Sequence, residues 1–475
     1  MIEMRLAEVA TVTGGRLHHA RADARVTAVE FDSRAIVAGG LFLALPGERV
    51  DGHDYAAAAV AAGAVGVLAA RAVDAPAVIV PPVARASGDH QTGTYLAATD
   101  PDGSGAAVLT ALARLAGHVV RALPAMTVVG VTGSCGKTST KDLLDAVLAP
   151  LGPTVAPPGS FNNELGLPWT ALRADTATRH LVLEFSARGP GHIAELAAAV
   201  PPRIAVVLNV GSAHLGEFGS PAATAAAKGE LVEALPADGL AVLNADDPAV
   251  AAMAGRTAAR IVTTGCAPTA EVRAEDLTLD AGRARFTLVS AAGRAPVALR
   301  LVGEHHVGNA LAAAAVALEL GATPAGVAAA LGAATPASRW RMEVTERPDG
   351  VTVINDAYNA NPESMRAALA ALAAVGGGAR RTWAVLGRMA ELGDGAVAAH
   401  AEVAAVARAL GVDELVAVGT ADYPHARPTA GAGEALALLG AELAPGDVVL
   451  VKASRGAGLE RVAAGLLGAG RSVLR

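Results

Sequence analysis

From Met126 onward, short apolar runs alternate with helix-forming stretches: "TVVGV" before "KDLLDAVLAP", "HLVLEF" before "GHIAELAAAV", "IAVVLNV" before "PAATAAAKGELVEAL", and then "LAVLNADD". Runs that are apolar on both faces have no side to offer to water, so they belong in a parallel sheet covered by helices above and below. The pattern predicts an α/β fold class with a central parallel sheet. A second series, "VTVIND", "TWAVLG", "ELVAVG" and "DVVLVK", each followed by a helix-like stretch, predicts a Rossmann-like C-terminal domain from about Arg341. Before Met126 the runs are shorter, "RVTAVEFDSR", "GGLFLALPG" and "AVGVLAA", and they end in the polar segment "ARASGDHQTGTYLAATDPDGSG", which reads as a linker. A chain of 475 residues exceeds one ordinary core. At about 150 residues per domain, three are expected, here 1–104, 105–339 and 340–475.

Composition narrows the setting. The chain is 52% hydrophobic, but Ala and Gly dominate, and long uncharged stretches, such as Tyr55 to Ala70 and Leu320 to Ser338, are broken by Gly or Pro. No membrane span is expected. Glu3 and Arg5 interrupt the apolar core a signal peptide would need, so the expected location is the cytoplasm. Two cysteines, Cys135 and Cys266, exclude a disulfide framework. A net charge of −7 without a basic block argues against a nucleic-acid partner. Of the 38 basic residues, only Lys137, Lys141, Lys228 and Lys452 are lysines. In a chain that has drifted so far towards Arg, surviving lysines are candidates for places that need a compact ammonium or a primary amine. Lys141, assigned to the outer face of its helix, reads as a chance survivor.

The run "AMTVVG" leads into "GVTGSCGKTST", and a helix follows. Gly133 and Gly136 free the backbone to wrap an anion, Lys137 supplies a point charge, and the Thr138 hydroxyl can reach a metal. Ser134, Cys135 and Ser139 complete the loop. The strict G-x-x-x-x-G-K-T pattern is not met, because Val131 occupies its first glycine position and Gly130 lies one residue earlier.

This loop resembles that of the Mur ligases, the ATP-dependent amide-forming enzymes of peptidoglycan synthesis. "GSFNNELGLP", "LEFSARGPGHI", "LNVGSAHLGEFGS", "NADDP", "GEHHVGN", "RMEV", "NDAYNANPESM", "GRMAELG" and "VKASR" are similar to the family's later blocks, in order. The resemblance implies that 1–104 binds a UDP-linked substrate, that 105–339 binds ATP, and that the carboxylate is activated as an acyl phosphate. It implies magnesium ligation by Thr138, Glu184 and His214, and a lysine at Lys228 that carries a carbamate. Asn309 would read the adenine with His305 close by, and Arg341 and Asp356 would close over the nucleotide. Ser33, Arg34, Asp51, Gly52 and His53 would hold the uridine-diphosphate end. Asn162 and Asn163 would meet substrate, and Asn359, Asn361, Lys452, Ser454 and Arg455 would face the amine or the peptide. Three positions depart from the family pattern: His306 where Asn is usual, Arg388 where an acidic residue is usual, and Ala453 where Gly is usual.

"NDAYNANP" and the M-x-E-L-G block are most similar to the branch that joins D-alanyl-D-alanine to UDP-N-acetylmuramoyl-tripeptide, with ATP and Mg²⁺ as cofactors. A monomer is expected. A sibling ligase adding a single amino acid, a folylpolyglutamate-type ligase, and a nucleotide-dependent binding protein with no bond-forming step are the alternatives.

Overall fold

The computed structural model describes residues 1–47, 50–83, 100, 102–211 and 218–468. The chain forms two compact units, one of Met1–Val131, Gly152–Ala205 and Glu230–Gly239, the other of Thr132–Leu151, Val206–Gly229 and Leu240–Arg475.

The first unit opens with a five-stranded sheet in the order Arg16–His18, Ala77–Ile79, Ala64–Ala69, Gly40–Leu43, Ala28–Glu30, parallel except for its first pair. Phe42, Val67 and Ile79 pack beneath the helix Ala56–Ala61. The helix Ser104–Ala122 buries Val108, Leu112, Leu115 and Val119, the spacing of one helical face. Three parallel strands follow, with His180–Glu184 lying between Thr127–Thr132 and Thr154–Val155. Their register sets Glu184 opposite Val131, close to the end of the strand that leads into the glycine loop. Phe31, Phe161 and Trp169 form an aromatic cluster, with ring centroids 4.9–6.1 Å apart, and the Trp169 indole donates to the Val29 carbonyl at 2.9 Å.

In the second unit Leu240–Asn244 and Arg260–Gly265 pair in parallel. The chain then turns antiparallel through Val272–Asp280, Arg283–Ser290 and Gly293–Val302. The last sheet runs Glu343–Glu346, Thr352–Asp356, Val448–Lys452, Thr382–Gly387, Glu414–Val418, Arg427–Thr429, parallel apart from its first strand. Its alternate residues enter two cores: Ile354, Leu386 and Leu450 face one set of helices, and Val353, Val385 and Val449 face the other. This is the doubly covered sheet that the apolar runs predict. Among the described residues no helix is long and apolar enough to cross a membrane.

Candidate active site

The strand Thr127–Thr132 delivers the chain into the loop, and the helix Lys137–Leu148 takes it up. Gly136 caps that helix at φ +84°, a left-handed conformation that costs an L side chain strain. A Cβ there would also sit 2.6 Å from Asn309 Oδ1, so glycine allows the carboxamide to lie directly on the loop. Lys137 arcs back and donates to the Gly133 carbonyl at 2.6 Å. The loop is also held by Asn209, from the block "LNVGSAHLGEFGS", to which the sequence assigned no role at this position. Its Oδ1 accepts the Cys135 N–H at 2.9 Å and its Nδ2 donates to the Cys135 carbonyl at 3.2 Å. Ser134 Oγ accepts the Gly211 N–H at 2.8 Å. Ser139, with Asp142, Leu143, His306, Pro336 and Arg341, lines a small cavity beside the helix.

Thr138 is buried, and its hydroxyl accepts from Arg341 Nη2 at 3.0 Å. The Arg341 guanidinium stacks on Tyr358, 4.0 Å from the ring centroid. Asp356 accepts from the Met342 N–H at 3.1 Å and pairs with Lys452, whose ammonium also donates to the Asn359 carbonyl at 2.9 Å. Ser454 Oγ accepts the Ala390 N–H at 2.9 Å, and Arg455 lies over the Trp340 ring. Asn359 Oδ1 accepts its neighbour's N–H at 2.9 Å. Asn361 is the N-cap of the helix Pro362–Gly376, accepting from Ser364 N at 2.9 Å.

Lys228 lies in the helix Pro221–Glu233 and is 3% exposed. Burial, helped by the Lys137 ammonium, pushes its pKa down to about 7, so near neutrality much of it is a free amine. Burial also lowers His305 to about 4 and holds His306 well below the usual imidazole range. Neither His306 ring nitrogen has a hydrogen-bond partner among the described residues.

Lys141 departs from the expectation of a solvated helix face. It is 3% exposed, and it meets Asp142 and the Ser338 hydroxyl, the latter at 3.2 Å. The face assigned to solvent packs against the helix His306–Glu319 and the segment that follows Ala333.

In the first unit Glu184 is fully buried at its strand end, and its Oε2 accepts from Ser160 Oγ at 3.1 Å and Asn162 Nδ2 at 3.3 Å. Asn163 Oδ1 closes the turn before the helix Gly166–Ala171 by accepting the Gly166 N–H at 2.9 Å. Ser33 and Arg34 lie in a short 3₁₀ turn, with Arg34 paired to Asp32 at 2.8 Å. Asp51 caps the turn that begins at Gly52, where a Cβ would strike the Leu45 backbone at 2.6 Å. Burial opposes ionisation of Asp51, yet the His53 backbone and ring and the Arg71 guanidinium bring its carboxyl to about 2. His53 Nε2 accepts the Ala70 N–H at 3.1 Å, so this imidazole is a structural link. His214 lies outside the described residues.

A glycine loop opening a helix, a lysine folded over it, and a threonine hydroxyl in contact with an arginine at the head of the next sheet define a nucleotide-binding α/β protein of the phosphate-loop class. The chain belongs to the Mur ligase family. It matches the Mur ligase family catalytic domain over residues 25–116, the Mur ligase middle domain over 131–317 and the Mur ligase glutamate ligase domain over 340–455. It is 55% identical over 507 residues to the UDP-N-acetylmuramoyl-tripeptide--D-alanyl-D-alanine ligase of Mycobacterium tuberculosis (strain ATCC 25618 / H37Rv), covering 98% of each chain. Among solved structures it is similar to MurF from Acinetobacter baumannii, with TM-score 0.83, 28% identity and coverage of 98% of this chain and 99% of that one. It is also similar to MurF ligase from Thermotoga maritima in complex with ADP, with TM-score 0.77, 28% identity and coverage of 92% and 96%.

Proposed function

We propose that this chain is an ADP-forming, ATP-dependent ligase that joins D-alanyl-D-alanine to UDP-N-acetylmuramoyl-tripeptide in peptidoglycan precursor synthesis. The observation that carries this reading is the 55% identity with a ligase of that activity along 98% of both chains. Two of the blocks that set this branch apart, "NDAYNANP" and M-x-E-L-G, lie within the matched length. The tripeptide carboxylate attacks the γ-phosphorus of ATP, ADP leaves, and the dipeptide amine then attacks the acyl carbon and expels inorganic phosphate. Transfer through a dispersed, charged transition state calls mainly for positioning and charge neutralisation. Lys137 supplies positive charge at the phosphates, Asn309 meets the base, and Arg341 approaches from the segment before the last sheet.

The donors fit magnesium. Thr138 offers a hydroxyl and Glu184 a buried carboxylate, hard oxygens of the kind magnesium takes. The family resemblance makes each a candidate ligand, and a bound magnesium would neutralise phosphate charge. Lys228 is suited to a carbamate: its neutral amine would form an N–C bond with carbon dioxide and release one proton, turning a neutral group into an anion.

The test is interception of the acyl phosphate. Hydroxylamine supplied in place of the dipeptide, with ATP and the UDP-tripeptide, should yield a hydroxamate and ADP. AMP and pyrophosphate would mark an adenylate route and refute this reading.

A further inference from the structure

The helix after the phosphate loop and the segment leading into the last sheet meet at two points one helical turn apart. At the first, Arg341 Nη2 donates to Thr138 Oγ1 at 3.0 Å. At the second, Asp142 accepts both donors of Ser338: the N–H at 3.0 Å on Oδ2 and the hydroxyl at 3.0 Å on Oδ1. Lys141 closes this second contact by pairing with Asp142 and donating to Ser338 Oγ at 3.2 Å. Thr138, Lys141 and Asp142 are spaced i, i+3, i+4, and so share one helix face. Ser338 and Arg341 stand three residues apart on the facing strand of chain.

Trp340 and Met342, on either side of Arg341, adopt φ +59° and +51°. Non-glycine residues persist in that region only where their surroundings over-determine them. Here the Trp340 carbonyl accepts the Tyr358 N–H at 3.3 Å, the Met342 N–H donates to Asp356 at 3.1 Å, and Tyr358 underlies the guanidinium. Those contacts fix Arg341 from the side of the last sheet. On the side of the loop it meets Thr138, with the Ser338 contact three residues before it.

We propose that Lys141, Asp142 and Ser338 form a latch that positions Arg341 against the phosphate loop, so that a nucleotide on the loop orders the segment leading to the last sheet. The proposal rests on the reading of this loop as the nucleotide site. It also accounts for Lys141 in a chain so poor in lysine. The ammonium is a point donor reaching a carboxylate and a hydroxyl from a side chain only 4% exposed.

Hydrogen exchange with and without ADP tests it on the full chain. In the wild type ADP should slow exchange in the loop peptide, residues 132–140, and in the segment 334–343. In Ser338→Ala, ADP should still protect the loop but no longer the segment, and kcat should fall at least ~10-fold with KM for ATP changed less than about threefold, as expected when a group is misplaced rather than removed. Ser338→Thr, which keeps the hydroxyl, should restore both. Segment protection and kcat unchanged in Ser338→Ala would overturn the latch, as would failure of Ser338→Thr to rescue. A wild-type loop that ADP does not protect would overturn the nucleotide site itself, a separate result.

Discussion

At the scale of the residue, the four lysines carry the argument. Their scarcity alone sets them apart in the sequence, and three of them, Lys141, Lys228 and Lys452, are at most 3% exposed. What composition does not disclose is the role of Lys141, whose partner Ser338 lies 197 residues away; no local pattern announces a contact that distant. Lys228 yields two expectations. If it carries a carbamate, Lys228→Arg puts a fixed cation where an anion serves, and turnover should drop ~100-fold or more, the scale for loss of one preorganised electrostatic group. An active, folded Lys228→Arg enzyme would contradict this. The second expectation concerns pH. The folded-state pKa of Lys228 is lowered to about 7, against ~10.4 in the unfolded chain. Between those values the unfolded chain holds a proton that the folded one has released, so stability rises with pH across that window. The cost of the buried ammonium is full below pH 7 and gone above ~10.4. Lys228→Met never bears that cost, so in buffer free of carbon dioxide its advantage in urea unfolding should shrink between pH 7 and pH 10. A constant difference would contradict the shift.

At the scale of the element, the strand–loop–helix is the most legible part of the sequence, because each piece states its own reason: an apolar run, glycines, then a lysine opening a helix. Gly136→Ala tests that grammar. An Ala at φ +84° costs roughly 1–2 kcal/mol from backbone strain alone, and its Cβ would displace Asn309 from the loop. ADP binding by calorimetry should be lost while urea unfolding shows a destabilisation of about that size; retained binding would contradict the packing. The antiparallel strands from Val272 to Val302 are harder to read. Their signal is alternation, as in "RARFTLVS", where Ala284, Phe286 and Leu288 are buried and Arg283 and Arg285 face outward. Such alternation is weaker than a continuous apolar run and is overshadowed by the parallel series around it. The Asn residues show a different limit. Asn163 and Asn361 both serve turns or caps in the structure, and an amide suited to a ligand is equally suited to a backbone N–H.

At the scale of the whole molecule, the order of the blocks along the chain identifies the family, whose catalytic, middle and glutamate ligase domains match residues 25–116, 131–317 and 340–455 in turn. Less of the site is readable. Asn209 and Tyr358 act by holding the loop and Arg341, and a residue that works through another leaves no chemical signature of its own. The central claim is that this chain spends ATP to join two particular substrates, and one measurement addresses it directly. ADP release should be followed with ATP and magnesium against a panel of UDP-muramoyl peptides and amino acids or dipeptides. Sustained release is predicted only when UDP-N-acetylmuramoyl-tripeptide and D-alanyl-D-alanine are both present, with one phosphate formed per ADP. Equal release with a single amino acid in place of the dipeptide, or release that needs neither substrate, would contradict it.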